Sequence, residues 1–216
     1  MLRLHSFWRS TASYRVRIAL NLKGLDHEIV SYNPVAPAAD AREAYRRINP
    51  HGLVPTLVDG DLAISQSLAI LEYLEETHAA PPLLPRDPAD RAFARQIALT
   101  VACEIHPLNN VAVLNYLTQD LGLGDEQRRN WYRRWVNRGL DAVESLLRRR
   151  GPAGPYCLGA TPGFADIFLV PQLFNAHFFD VPTSGWPLLL EIERNCLQLP
   201  AFQRARPENQ PDAPPP

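Results

Sequence analysis

The spacing of apolar residues changes period once along this chain, across Pro81-Pro82-Leu83-Leu84-Pro85-Arg86-Asp87-Pro88. That change limits the available folds more than any other feature. Prolines at this density prevent a regular element, so 81–88 reads as a linker. Before it, short runs alternate between strand-like and helix-like spacing. From Ala89 onward the spacing is helical. The 216 residues therefore divide into a small α/β domain over 1–80 and an all-helical domain over 89–207. The proline-rich end, 208–216, predicts a disordered tail.

Within 1–80, Leu2, Leu4 and Ser6 suggest a first strand. Ser13 to Leu22 places Val16, Ala19 and Leu20 on one helical face and stops at Gly24. His27 to Tyr32 reads as a second strand and Ala39 to Ile48 as a second helix. Thr56-Leu57-Val58 and Leu62-Ala63-Ile64 flank Asp59-Gly60, a strong hairpin signal. Ser67 to Thr77 closes the domain as a third helix. The order β-α-β-α-β-β-α implies a parallel crossover followed by an antiparallel hairpin, the order of the thioredoxin fold. In the second domain the candidate helices are Asp90–Leu121, Asp125–Arg150, Gly163–Phe179 and Pro187–Leu197. His106-Pro107 interrupts the first of them and must kink it.

The charge balance excludes several function classes. Lys and Arg total 22 against 23 Asp and Glu, a formal net charge of −1, which gives no electrostatic case for nucleic acid or an anionic membrane. No stretch approaches the ~18 consecutive apolar residues of a membrane span, and the N-terminus is no signal peptide. The three cysteines, Cys103, Cys157 and Cys196, are far apart without a CxxC pair, so a reducing cytoplasm is the default. The six histidines show no zinc-ligand spacing, and no metal is expected.

Several segments resemble the zeta class of the glutathione transferases. They are Phe7 to Gly24, Asn49 to Leu57, Gln66 to Glu76, Glu104 to Asn110, Ala165-Asp166 and Leu169 to Gln172. They occur in the family's order and the similarity runs from about residue 2 to 207. The resemblance implies glutathione as cofactor, a homodimer, and a cis–trans isomerase of a maleyl diketo acid, maleylacetoacetate foremost. Maleylpyruvate, a broader transferase or dehalogenase activity, and a non-catalytic glutathione-binding scaffold are the alternatives.

Two of these segments have a physical reading of their own. Ser10-Thr11-Ala12-Ser13 supplies N-cap oxygens to the first helix, and the same helix start favours an anion such as a thiolate. Gln66-Ser67 opens the third helix, with Ser67 the expected N-cap, and forms a second anion site. The resemblance assigns Ser10 to the glutathione sulfur, with Thr11 alongside and Ala12 and Arg15 in the same binding group. It assigns Val54, before a cis Pro55, to the cysteinyl main chain, Gln66 and Ser67 to the γ-glutamyl end, and His106 and Asn110 to the glycyl end. The family's Ser-Ser-Cys is Ser10-Thr11-Ala12 here, so no protein thiol takes part.

Arg9 is the candidate partner of a substrate carboxylate, because a guanidinium grips one with two parallel hydrogen bonds; a solvated surface arginine is the bland alternative. Relatives often carry an arginine just after the paired asparagines, where this chain has Val111-Ala112-Val113. They often carry another before Phe179-Asp180-Val181, where it has His177-Phe178. A second substrate carboxylate therefore lacks its expected partner, with His177 the partial substitute when protonated. Asp166 is expected to cap its helix by accepting the Gly163 N–H.

Overall fold

The computed structural model describes residues 1–35 and 37–215. They divide into two compact units, one of Met1–Leu83 together with the chain from Leu197 onward, the other Leu84–Cys196.

The first unit holds a four-stranded sheet of order β2-β1-β3-β4, built from β1 Leu2–Ser6, β2 His27–Ser31, β3 Thr56–Asp59 and β4 Leu62–Ser65. β1 pairs parallel to β2 and antiparallel to β3, and β3 antiparallel to β4, the arrangement expected from the element order. Helices α1 Thr11–Lys23, α2 Ala39–Ile48 and α3 Ser67–Thr77 complete the thioredoxin-like layer. Gly24 ends α1 at φ 65°, a left-handed position glycine adopts without strain. The core joins Leu4 and Leu57 of the sheet to Val16, Ile18 and Leu20 of α1 and Ile70, Leu71 and Leu74 of α3, all fully buried.

Two boundaries differ from the expectation. The linker does not float: the Lys23 ammonium, buried at the end of α1, donates to Glu75 Oε2 at 2.8 Å and to the carbonyls of His78 and Pro81. The C-terminal segment belongs to the first unit rather than to the helical domain, and of the residues expected to form a disordered tail, Asn209, Gln210, Asp212 and Ala213 make hydrogen bonds, while Pro216 lies outside the described residues. Helix α9, Pro200–Ala205, packs on α1, with Asn21 Nδ2 donating to the Ala201 carbonyl and Arg17 Nε to that of Ala205. Pro207 then opens a 3₁₀ turn over Pro207–Asn209, a position where its missing N–H is no loss. Gln210 Nε2 closes the helix end by donating to the carbonyls of Arg204 and Arg206, and Asp212 Oδ2 accepts the Trp8 N–H at 3.0 Å. Proline here fixes turns instead of preventing them.

The second unit is helical: α4 Pro88–Leu99, α5 Val111–Asn115, α6 Asp125–Arg150, α7 Phe164–Phe178 and α8 Pro187–Cys196. Its core is built on Val101, Ile105, Val136, Leu140, Val143, Phe164, Phe168 and Leu189. The helix expected over Asp90–Leu121 is not one helix. It widens to a π turn over Thr100–Ile105, tightens to a 3₁₀ turn over Pro107–Asn109, resumes as α5, and widens again over Tyr116–Asp120. Pro107 is the cause: its ring and missing N–H break the ladder, and the π turn lets the His106 N–H reach Val101 O at 2.9 Å. The run Pro88–Asp120 also qualifies the expectation about spans. Its 33 residues, with a mean hydropathy of 1.4 over the best window, match a membrane helix by length and composition alone, although Glu104, His106, Asn109, Asn110 and Asn115 lie within it.

Gly139 is where α6 meets the π turn most closely. A Cβ there would overlap the Ile105 side chain, which is fully buried and immediately precedes His106. In an exposed helix Gly→Ala stabilises by about 1 kcal/mol. Here the overlap reverses the sign, and Gly139→Ala is expected to destabilise by about 1–3 kcal/mol. Thermal denaturation checks this: a raised Tm contradicts the close approach.

Candidate active site

Helix α1 begins immediately after Ser10, the N-cap, whose Oγ accepts the Ser13 N–H at 3.2 Å. This cap uses one oxygen lone pair and leaves the hydroxyl hydrogen free to donate elsewhere. Capping and holding an anion are therefore compatible tasks for one side chain. Ser10 is half-buried, whereas Thr11, the first helical residue, is 2% exposed. Of the two hydroxyls, that of Ser10 is the more open to a ligand. Ala12 is buried behind them, and Arg9, half-buried, stands just before the cap.

Helix α3 starts differently from expectation. Gln66, not Ser67, is the N-cap, at φ 72° and without a side-chain cap hydrogen bond; Ser67 is the first helical residue. A left-handed conformation is uncommon for a residue with a side chain and costs energy that the surroundings must supply. The Ser67 hydroxyl instead accepts from Arg15 Nη1 at 3.2 Å. Arg15 is 1% exposed, so a buried cation lies against the start of α3.

The two helix starts share a further property. Neither α1 nor α3 carries an acidic residue in its first turn. The starts of α5, α8 and α9 also lack one, whereas α2, α4, α6 and α7 carry Asp40, Asp90, Asp125 with Glu126, and Asp166. A carboxylate at N1–N3 complements the helix dipole. At α1 and α3, joined by the hydrogen bond from Arg15 of one to Ser67 of the other, its absence leaves the positive helix ends unanswered. That donor set suits a ligand bearing a thiolate and a carboxylate, as glutathione does.

Val54 precedes β3 and is joined to Pro55 by a cis bond. The loop before it is fixed from behind: Tyr45 Oη and Asn49 Nδ2 both donate to the Leu53 carbonyl, at 2.8 and 2.7 Å, and Asn49 also reaches Thr56 Oγ1. Sequence reasoning gave Tyr45 and Asn49 no task, although Asn49 begins a segment that carried the resemblance. It also missed Arg17, 1% exposed. Its guanidinium donates to Ser6 Oγ and to the carbonyls of Phe7 and Trp8, fixing the loop that leads to Arg9 and Ser10. Burial pulls its pKa down to about 10, with Tyr14 and Asp212 opposing, so it remains charged at neutral pH. Two arginines inside a buried helix were the available signal.

The remaining candidates lie in the helical unit. His106 is half-buried, at the junction of the π and 3₁₀ turns. Asn110 caps α5, its Oδ1 accepting the Ala112 N–H at 3.1 Å, which leaves its amide N–H groups to donate. His177 Nε2 pairs with Glu193 Oε2 at 2.9 Å. That hydrogen bond raises the His177 pKa against the opposing effect of burial. The positive charge so favoured is already answered by a carboxylate, an arrangement that clasps α7 to α8 and is poorly suited to anchoring a second anion. Asp166, buried, accepts from the Gly163 and Cys157 N–H groups, each at 2.9 Å; burial raises its pKa and these bonds oppose the rise. Its task is folding. Among the described residues no cluster of three or more His, Cys, Asp or Glu could hold a metal ion.

Comparison with known proteins agrees with this geometry. A family model described as "Glutathione S-transferase, N-terminal domain" matches residues 4–82, and one described as "Glutathione S-transferase, C-terminal domain" matches 121–194. The chain is 46% identical to a probable maleylacetoacetate isomerase of Vibrio cholerae, over 97% of each chain. It superposes with a TM-score of 0.93, at 40% identity and covering 98% of this chain and all of the other, on the holo structure of a bacterial maleyl pyruvate isomerase of the zeta class. It does so equally, at 39% identity and 99% and 100% coverage, on a maleylacetoacetate isomerase of Methylobacterium extorquens AM1 solved with malonate and glutathione. The sheet, the two helix starts without acidic residues and these likenesses together place the chain in the glutathione S-transferase family, within its zeta class.

Proposed function

We propose that the chain is a glutathione-dependent cis–trans isomerase of a maleyl diketo acid, with maleylacetoacetate as the first substrate to test. Maleylpyruvate is the second, favoured by the likeness to a maleyl pyruvate isomerase. The observation that carries the reading is the pair of helix starts at Ser10 and Gln66-Ser67, free of acidic residues and joined through Arg15.

The chemistry that glutathione supplies when bound is a nucleophilic sulfur whose reversible addition to the cis double bond permits rotation about a single bond. The protein's residues make that sulfur an anion and orient the acid. At the start of α1, the Ser10 hydroxyl donates to the sulfur and the first-turn N–H groups, Thr11 and Ala12 among them, stabilise its charge. At the start of α3, the main-chain N–H groups with Ser67 and Gln66 hold the γ-glutamyl carboxylate, and Arg15 adds its charge from beneath. Val54 pairs through its main chain with the cysteinyl unit as an added strand, while His106 and Asn110 receive the glycyl end. Arg9 takes a substrate carboxylate. In this reading residues 1–80 hold glutathione except at its glycyl end, 89–207 hold the substrate except at the carboxylate on Arg9, and the enzyme works as a homodimer in the cytoplasm. Free Cys103, Cys157 and Cys196 suit a reducing compartment.

The direct test is an assay with each diketo acid, with and without glutathione; turnover that does not depend on glutathione defeats the proposal. Ser10→Ala is expected to lower kcat by about 10- to 100-fold, the effect of one lost charge-assisted hydrogen bond. Calorimetry of the same variant is expected to find glutathione affinity within about threefold of the parent, because the bond matters most when thiolate is formed or expelled. Normal turnover in Ser10→Ala with a dead Thr11→Ala would transfer the task to Thr11.

Arg9→Ala is expected to lower kcat/KM for the diketo acid by about 2–4 kcal/mol and to leave transfer to a neutral chloro-dinitro arene nearly unchanged. Arg9→Lys restores part of the loss. Equal losses on both substrates would instead make Arg9 a support of the glutathione site.

A further inference from the structure

Three guanidinium groups meet at a small cavity that lies wholly within the helical unit. Its walls are Arg128, Arg129, Tyr132 and Arg133 from the first turns of α6, Leu114 from α5, and Phe179 just after α7. The charges there are unanswered. No carboxylate lines the cavity. Among the described residues Arg128, Arg129 and Arg133 form no ion pair, although Asp125 and Glu126 lie in the first turn of the same helix. Arg129 and Arg133 stand one helical turn apart, where like charges oppose each other. Arg133 Nη2 reaches the Asp180 carbonyl at a long 3.4 Å, and its Nε is buried without a hydrogen-bond partner among the described residues.

A buried donor of this kind calls for a water or a ligand. A water would satisfy the donor and leave the three positive charges as they are. An anion does both, and guanidinium groups present the planar pairs of donors that an oxyanion accepts. The volume, about 50 Å³, limits its size. One water needs about 10–15 Å³ by the same measure, so the space holds about four, the bulk of a short-chain carboxylate or of inorganic phosphate. Whole organic ligands occupy pockets of about 300 Å³ or more. The Tyr132 and Phe179 rings, with centroids 4.3 Å apart, give an apolar side for a short carbon chain.

An occupant would act on several elements at once. Trp131 Nε1 donates to the Leu108 carbonyl at 2.8 Å, and Asn109 Nδ2 to the Tyr132 carbonyl at 3.4 Å, which ties the arginine-bearing turns of α6 to the 3₁₀ turn over Pro107–Asn109. Leu114 brings α5 to the same space and Phe179 the end of α7. An ion that binds only when these elements are assembled stabilises them by mass action.

We propose that the Arg128–Arg129–Arg133 cavity is a small-oxyanion site that takes a short-chain carboxylate or inorganic phosphate and stabilises the helical unit when filled. It shares no residue with the helix starts at Ser10 and Ser67, and it does not depend on the isomerase reading.

The test is calorimetric titration of the full chain with propionate and with inorganic phosphate, at saturating glutathione so that the site described above is filled. The parent is expected to bind at least one of them saturably. Binding of propionate alone assigns the site to carboxylates, of phosphate alone to phosphate, and of both to either source; each supports the proposal. Arg133→Gln and Arg129→Gln are each expected to weaken binding about 10- to 100-fold, the effect of a lost charge-assisted hydrogen bond, and Arg133→Lys to recover part of the loss. Arg129 is the more exposed of the two, so its variant reports on binding even if Arg133→Gln does not fold. Arg138→Gln removes the same charge from the same helix outside the cavity, where that guanidinium lies over the Trp135 ring, and is expected to keep the affinity within about twofold. Hydrogen exchange is expected to slow on anion binding over 107–116 and 125–133. The proposal is overturned if the parent binds neither ion saturably, if both cavity variants keep the parent's affinity, if Arg138→Gln weakens binding as much as they do, or if exchange slows only elsewhere in the chain.

Discussion

Two buried arginines on α1 hold the first unit together. Arg15 and Arg17 are two residues apart, so they leave the helix about 200° apart, and each is 1% exposed. Taking a cation out of water costs several kcal/mol unless hydrogen bonds replace its hydration. The replacement fixes the surrounding chain. Arg15 donates to Ser67 at the start of α3. Arg17 donates to Ser6, Phe7, Trp8 and Ala205, which ties the end of β1, the approach to Ser10 and helix α9 to one guanidinium. Helix α1 thereby sets both places where an anion can be received. A hydrophobic side chain of equal volume at either position would fill the space and leave those polar groups without donors.

The folded C-terminal segment belongs to the same arrangement. Asp212 accepts the Trp8 N–H and contributes to the field at Arg17, so a residue more than two hundred positions away supports the loop before the first helix. Asn49 and Tyr45 do the same for the loop before Val54. The residues closest to the proposed chemistry are few, and most of the buried polar atoms around them act by positioning main chain.

The elements with a strong local signal were legible in the sequence. Asp59-Gly60 makes the hairpin turn, with Gly60 at φ 58°, Gly24 ends α1, and Asp166 accepts the Gly163 N–H. Ser10 was legible because its capping and anion readings coincide. What depends on contacts between distant residues was not legible. Nothing local says that Arg15 will take the Ser67 hydroxyl and leave Gln66 to cap α3 at a positive φ. The proline-rich end reads as disorder until Asp212 finds Trp8, far away in sequence. Pro107 announced a kink, but nothing local announced that the chain would answer it with a π turn over Thr100–Ile105, or widen again over Tyr116–Asp120.

The central claim is that a helix start without acidic residues, topped by the Ser10 hydroxyl, makes a bound thiol an anion at neutral pH. The thiol pKa of glutathione bound to the enzyme tests it directly, by titration of the ultraviolet absorbance of the thiolate. A free thiol of this kind titrates near 8.5. The account predicts a value below about 7 for the bound thiol, at least about 1.5 units lower, rising again in Ser10→Ala. A bound thiol that titrates at its free value in the parent enzyme would contradict it.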